Sequence, residues 1–235
     1  MQMEENAALV RPLERAGLVF ALLAAVAWWR ATGSGDESAG WALAAKAAVL
    51  PALAALAWGR RATIPGGALL AAALVCHGAG DLALELHFLA GMGAFAAGHV
   101  AYFALFWRRR VSAEEIGGGD RLRLGTLALA GAATILFLTP RLAGAMATAV
   151  PLYAIALLLM AGAAQLARRG WPWVAAGAWA YVISDALLAL ALFGGLAGGG
   201  ARRLVWPLYV LGQGAIALGW IYGGERARPV DDDSD

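Results

Sequence analysis

The sequence predicts an all-α, polytopic integral membrane bundle of about eight transmembrane helices. Hydrophobic residues make up 61% of the 235 and charged residues only 14%, against roughly 25% charged in a soluble domain. The apolar residues gather into runs close to the ~20 residues that cross a bilayer. The charges, nearly all of the basic ones arginine, collect between those runs. No alternation of period two passes through the segments, which excludes a β-barrel.

The first run, residues 13–30, follows Arg11 and Arg15 as the core of a signal peptide does. Its length and its Trp28-Trp29-Arg30 border are instead those of a retained span. The second run, 41–58, carries Lys46 and Pro51. The third, 64–84, carries His77 and Asp81 and leads to Glu85. The fourth, 88–107, carries His99 and Tyr102; its link to the third, at Leu86–His87, is the tightest in the chain and reads either as a turn or as a kink. The fifth, sixth, seventh and eighth runs cover 122–139, 142–166, 172–194 and 203–223. Residues 1–223 thus read as a single transmembrane domain, and 224–235 as a polar, acidic tail without stable structure.

Eight spans place Arg11, Arg15, Arg60, Arg61, Arg108 to Arg110, Arg121, Arg123, Arg168, Arg169, Arg226 and Arg228 on one side. Only Arg30, Arg141, Arg202 and Arg203 fall on the other. The positive-inside rule makes the richer side cytoplasmic, so both termini are expected there, in the cell inner (cytoplasmic) membrane. An odd number of spans destroys this asymmetry. Pro51, Pro140, Pro151 and Pro207 fall mostly near the ends of runs, which weakens a transporter with broken helices.

A charge at mid-bilayer costs about 2.5–3.5 kcal/mol on insertion scales, so a residue that stays there faces the bundle interior and has work to do. The set is short: Lys46, His77, Asp81, Glu85, His99 and Asp185, with Gln165 and Gln213 as neutral companions. His77, Asp81 and Glu85 follow at four-residue steps and form one stripe. His99 and Tyr102, Tyr181 and Asp185, and Tyr209 and Gln213 pair on their helices in the same way. Four helices therefore each bring polar groups to one side, as a shared interior site requires.

Plainer readings stand beside these. Glu85 and His87 sit where an interfacial residue would. His77 reads equally as a core histidine bonded to a helix carbonyl. Lys46 either snorkels to the interface or neutralises a buried carboxylate. Tyr153 and the tryptophans fit aromatic belts, Gly91, Gly93 and Gly98 fit helix packing, and the single Cys76 fits a small buried hydrophobe. Asp81, His99 and Asp185 resist such readings and are the expected catalytic set.

Chemical signatures are otherwise few. Zinc-protease HExxH, GxSxG, P-loop and paired-cysteine motifs are missing. The histidines lack a ligand pair such as HxxxH, so neither a metal nor another cofactor is expected. No basic patch on a soluble fold points to nucleic acid. The expected partners are the bilayer and a lipid substrate; oligomeric state is not encoded in these patterns.

The sequence Gly80-Asp81-Leu82, then Phe88 to Gly91, Phe95 and His99-Val-Ala-Tyr102, resembles the YhhN family of membrane proteins, which includes the animal lysoplasmalogenases. Ser184-Asp185 looks like the second acidic motif of that family, and Tyr209-Val-Leu-Gly-Gln213 its final-helix Tyr-x-x-x-Gln. Lys46 and Pro51 stand five apart where the family normally has them adjacent. The resemblance covers roughly residues 40–223. It implies about eight helices with both acidic residues inward, and hydrolysis of the vinyl ether bond of a lysoplasmalogen to a fatty aldehyde and a glycerophospho-alcohol.

That chemistry suits the residues. Protonating the β-carbon of a vinyl ether gives an oxocarbenium ion; water captures it, and the hemiacetal collapses to aldehyde and alcohol. One acid, one base and a negative charge beside the cation are needed, and two carboxyl groups supply all three, as in glycosidases. Asp81 and Asp185 are the expected pair, with acid and base unassigned. His99 is expected to orient or relay a proton, and Lys46, Tyr102, Tyr209 and Gln213 to bind the lysophospholipid substrate or water. The rival expectations are a small proton-coupled transporter and a non-catalytic lipid-binding protein, because carboxylates also serve relays and helix contacts.

Overall fold

The computed structural model describes residues 17–31, 40–195 and 199–226. These residues form helices α1 (Gly17–Ala31), α2 (Gly40–Gly59), α3 (Gly67–Leu86), α4 (Phe88–Trp107), α5 (Gly118–Leu138), α6 (Met146–Gln165), α7 (Trp173–Phe193) and α8 (Gly199–Tyr222). Among the described residues the only strand-like pairings are two isolated bridges, Arg110 with Ala167 and Arg169 with Glu225. Helices α2 to α8 are long and apolar enough to cross a membrane, and the chain is a multi-pass helical membrane protein. Arg11, Arg15, Arg228 and most of the expected acidic tail lie outside the described residues.

The helix ends follow from local chemistry. Between α3 and α4 the backbone of His87 is extended, with φ −156° and ψ 113°. Its side-chain Nδ1 accepts from the Ala90 N–H at 3.3 Å, capping the start of α4. The Leu86–His87 link is therefore a turn, not a kink. Helix α5 begins at Gly118, before the expected residue 122, because the Asp120 carboxylate accepts from the Gly117 N–H at 3.1 Å. Charges expected in a loop thus belong to the first turns of a helix. Helix α6 begins late: a short 3-10 turn occupies Thr139–Arg141, and Gly144 then takes a left-handed φ of 56°, which glycine alone adopts freely.

The prolines correct an expectation. Pro51, Pro151 and Pro207 lie inside α2, α6 and α8 rather than at their ends. All three helices continue through them, since lipid offers a freed carbonyl no other partner and the helix holds.

The chain divides into two compact units at Ala101 and Tyr102. In the first, α2 packs on α3, and α3 lies tightly on the early part of α4. Gly80 meets the Phe95 ring, where a Cβ would come within 2.8 Å, and Gly98 meets the His77 imidazole. In the second unit α7 packs most extensively on α8. A Cβ on Gly177 would stand 2.6 Å from the Gly212 carbonyl oxygen, so the two backbones touch where small residues allow it. The outer face of α5 carries Leu122, Leu129 and Leu136, all more than 70% exposed, the surface that acyl chains cover.

One end of the second unit is tied by charge. Arg226 grips Asp120 with two nitrogens at 3.0 and 2.9 Å, Arg123 joins the same carboxylate, and Arg226 also lies 4.8 Å from the Trp171 ring. Arg168 pairs with Glu115, and Arg169 Nε donates to the Trp220 carbonyl at 2.7 Å. The segment expected to be free from residue 224 is thus held as far as Arg226. Glu115, in the loop before α5, accepts from the Ser112 N–H at 2.8 Å. That bond, with Arg168 beside it, lowers its pKa from 4.5 to about 2.

Two outcomes follow. Gly177→Ala is expected to lower stability in detergent by about 1–3 kcal/mol through overpacking, whereas Gly214→Ala, with open space around it, leaves stability unchanged or raised. A carboxyl with a depressed folded-state pKa stabilises fully above its unfolded value and loses that contribution as pH falls through the folded one. Thermal melts between pH 5 and pH 2 are therefore expected to show a smaller decline for Glu115→Gln than for the wild type.

Candidate active site

In the second unit, α5, α6 and α7 enclose a cavity of about 230 Å³. Its wall is nearly all apolar, built from residues such as Ile135, Leu157, Leu158 and Ile183, and small residues including Ala130, Gly131 and Ala154 leave the space. Asp185 of α7 and Tyr153 of α6 are set into this wall. The Tyr153 hydroxyl donates to Asp185 Oδ2 at 2.5 Å. Among the described residues this is the carboxyl group's one hydrogen bond, so Oδ1 remains for a ligand. A carboxyl group on an apolar cavity with one oxygen fixed and one available is an arrangement for moving a proton.

Tyr153 was expected in an aromatic belt, and that reading is corrected. Its position near the middle of the run 142–166 was the available signal, since belts form at the ends of spans.

A second polar cluster of this unit joins α4, α7 and α8. The Tyr102 hydroxyl donates to Gln213 Oε1 at 2.6 Å, both residues being fully buried. Tyr209, one turn before Gln213, meets Tyr181 edge-on with ring centroids 5.2 Å apart. Ser184, the neighbour of Asp185, turns the other way and donates to the Val205 carbonyl at 2.7 Å. Tyr102 and Gln213, both expected at the site, thus bond to each other directly, while Asp185 takes Tyr153 from a helix that sequence reasoning had left out.

The first unit holds the other expected residues. His77 and His99 are fully buried with ring centroids 5.1 Å apart. His77 Nδ1 lies 2.7 Å from the Ala73 carbonyl oxygen, to which it donates, as its structural reading required. Asp81, one turn on, is 5% exposed. The stripe then surfaces: Glu85 is exposed and accepts from Lys46 Nζ at 2.7 Å. Lys46 does pair with a carboxylate, but with an exposed one, and its ammonium lies 5.3 Å from the Trp28 ring. Cys76 is half-buried. Among the described residues no three His, Cys, Asp or Glu side chains are grouped closely enough to hold a metal ion.

A sequence model of the YhhN family matches residues 41–220, from the first turn of α2 to the last of α8. The chain belongs to the YhhN family. No curated protein and no solved structure matches it. The matched stretch contains every expected site residue of this YhhN protein and also Tyr153, whose place was found only from the cavity.

The Tyr102–Gln213 bond gives a test of its own. Tyr102→Phe leaves a buried amide oxygen without its donor and is expected to cost about 1–3 kcal/mol. Replacing both partners, as Tyr102→Phe with Gln213→Leu, is expected to recover part of that loss in a detergent unfolding series.

Proposed function

We propose that this YhhN protein is a membrane-embedded ether hydrolase that cleaves the vinyl ether bond of lysoplasmalogen-like lysophospholipids, releasing a fatty aldehyde and a glycerophospho-alcohol. The observation that carries the reading is the Asp185 carboxyl group, held by Tyr153 at an apolar cavity with one oxygen available. Membership of a family that includes lysoplasmalogenases supports it.

The steps balance on this one group. In its protonated form Asp185 gives its proton to the β-carbon of the vinyl ether, and the electron pair of the double bond forms the new C–H bond. The adjacent carbon becomes an oxocarbenium centre facing the carboxylate just formed, whose charge stabilises it. Water attacks that carbon and returns a proton to the carboxylate. The hemiacetal then breaks its C–O bond, the proton of its hydroxyl passing to the departing glycerol oxygen, and yields aldehyde and alcohol. Tyr153 fixes the carboxyl orientation throughout. Asp81, His99 and Lys46 are given no step in this sequence; Tyr209 and Gln213 keep their proposed part in binding.

The arginine-rich end of the second unit is placed at the cytoplasmic face of the inner membrane, with both termini on that side. A carrier with broken helices is less well supported, because α2, α6 and α8 run unbroken through their prolines.

Purified wild-type protein in detergent is expected to release aldehyde from a lysoplasmalogen. Asp185→Asn is expected to lose roughly 10²–10⁴-fold in rate, the usual contribution of a general acid or base. Tyr153→Phe is expected to lose about 10–100-fold, the worth of a hydrogen bond to a charged group of about 1.5–3 kcal/mol. A fully active, folded Asp185→Asn protein overturns the assignment.

A further inference from the structure

The cavity that holds Asp185 is lined by uncharged residues apart from Asp185 itself. Among the described residues, no lysine, arginine or histidine contributes to its wall, and its polar side chains are Asp185, Tyr153, Thr134 and the Trp179 indole. A phosphate is recognised by arginine, lysine or a fan of N–H donors, and none of these side chains stands here. At the border of the cavity, between the lining residues Leu138 and Leu142, the short turn carries Arg141. That guanidinium folds back: it donates to the Phe137 carbonyl and lies 3.8 Å from the Phe137 ring.

Size points the same way. About 230 Å³ is less than the ~300–1,000 Å³ that encloses a drug-sized ligand, so a long-chain lysolipid cannot enter whole. The cavity has room for the reacting bond and the first carbons beside it. Ile183 on its wall is 46% exposed, so the remainder of the lipid continues past the helix surface.

We infer that this site selects its substrate by the enol ether and adjoining hydrocarbon, without reading the phosphate, so that uncharged 1-alkenyl glycerols are substrates beside the lysophospholipids. The inference rests on the hydrolase reading and goes beyond it in substrate class. The Asp185 carboxyl needs only the β-carbon, the ether oxygen and a water molecule, and all three are present when the glycerol carries a free hydroxyl in place of the phosphoester.

The experiment measures aldehyde release by the purified full-length protein in neutral detergent micelles. A 1-alkenyl glycerol and a 1-alkenyl glycerophosphoethanolamine of the same chain are compared at equal surface mole fraction. The expected result is cleavage of both, with kcat/KM values within about tenfold of each other. Cleavage of the phospholipid with the glycerol at least 100-fold poorer overturns the inference and leaves the hydrolase reading standing. If neither is cleaved the hydrolase reading fails, and binding then decides the selectivity. The non-hydrolysable 1-O-alkyl glycerol and 1-O-alkyl glycerophosphate are compared for the shift they give in melting temperature, with Ala186→Phe filling the cavity as control. Equal shifts that vanish in the filled variant uphold phosphate indifference; a shift from the phosphate alone overturns it.

Discussion

Hydrocarbon offers no hydrogen bonds. Every backbone amide placed in it has to be satisfied within a helix, and a polar side chain placed in it needs a neighbour of its own. Helices that stay continuous through Pro51, Pro151 and Pro207 are one consequence. The partners of the buried side chains are another: His77 with the Ala73 carbonyl, Tyr102 with Gln213, Ser184 with the Val205 carbonyl. Against that background Asp185 stands apart, since one carboxyl oxygen is bonded to Tyr153 and an apolar cavity lies beside the group. A carboxyl group left half-bonded in such a medium costs stability, and the reaction proposed for it is what that cost supports.

Charge is handled by a different device at the end of the second unit. Asp120, almost wholly buried, receives Arg226 and Arg123 together, and backbone pairing joins the loops around Arg110, Ala167 and Glu225. These interactions bind the end of α8 to the starts of α5 and α7. Further along the same helices small residues allow close packing, through contacts such as Gly177 against Gly212 and Gly131 against Leu158. Electrostatic closure at one end and small-residue packing along the length leave the cavity between α5, α6 and α7 as a place where side-chain volume is locally missing.

The fold was legible because hydropathy is a coarse, strong signal: apolar runs of the right length with arginines between them locate the helices within a few residues. The start of α5 was misplaced because Asp120 and Arg121 look like loop residues, whereas the Asp120 carboxylate caps the helix they begin. Asp185 was legible because an acid in mid-span is rare enough to stand out. Tyr153 was not, because an aromatic hydroxyl is common at membrane boundaries, and only the approach of α6 to α7 gives it a partner. The partner of Lys46 was half legible: a buried carboxylate was one of two readings, and which carboxylate it meets depends on how far the α3 stripe runs before it surfaces. The cavity was not legible at all. It depends on which of the many alanines and glycines face one another, and a chain so rich in both conceals that choice.

The most direct test of proton delivery from a fixed carboxyl group uses heavy water. The protein is incubated with lysoplasmalogen in D2O, and the aldehyde is reduced to alcohol as it forms to prevent exchange. Delivery from Asp185 to one face of the double bond predicts a single deuterium on the carbon next to the former carbonyl carbon, in one configuration. A product without deuterium there, or with both configurations equally, would contradict it.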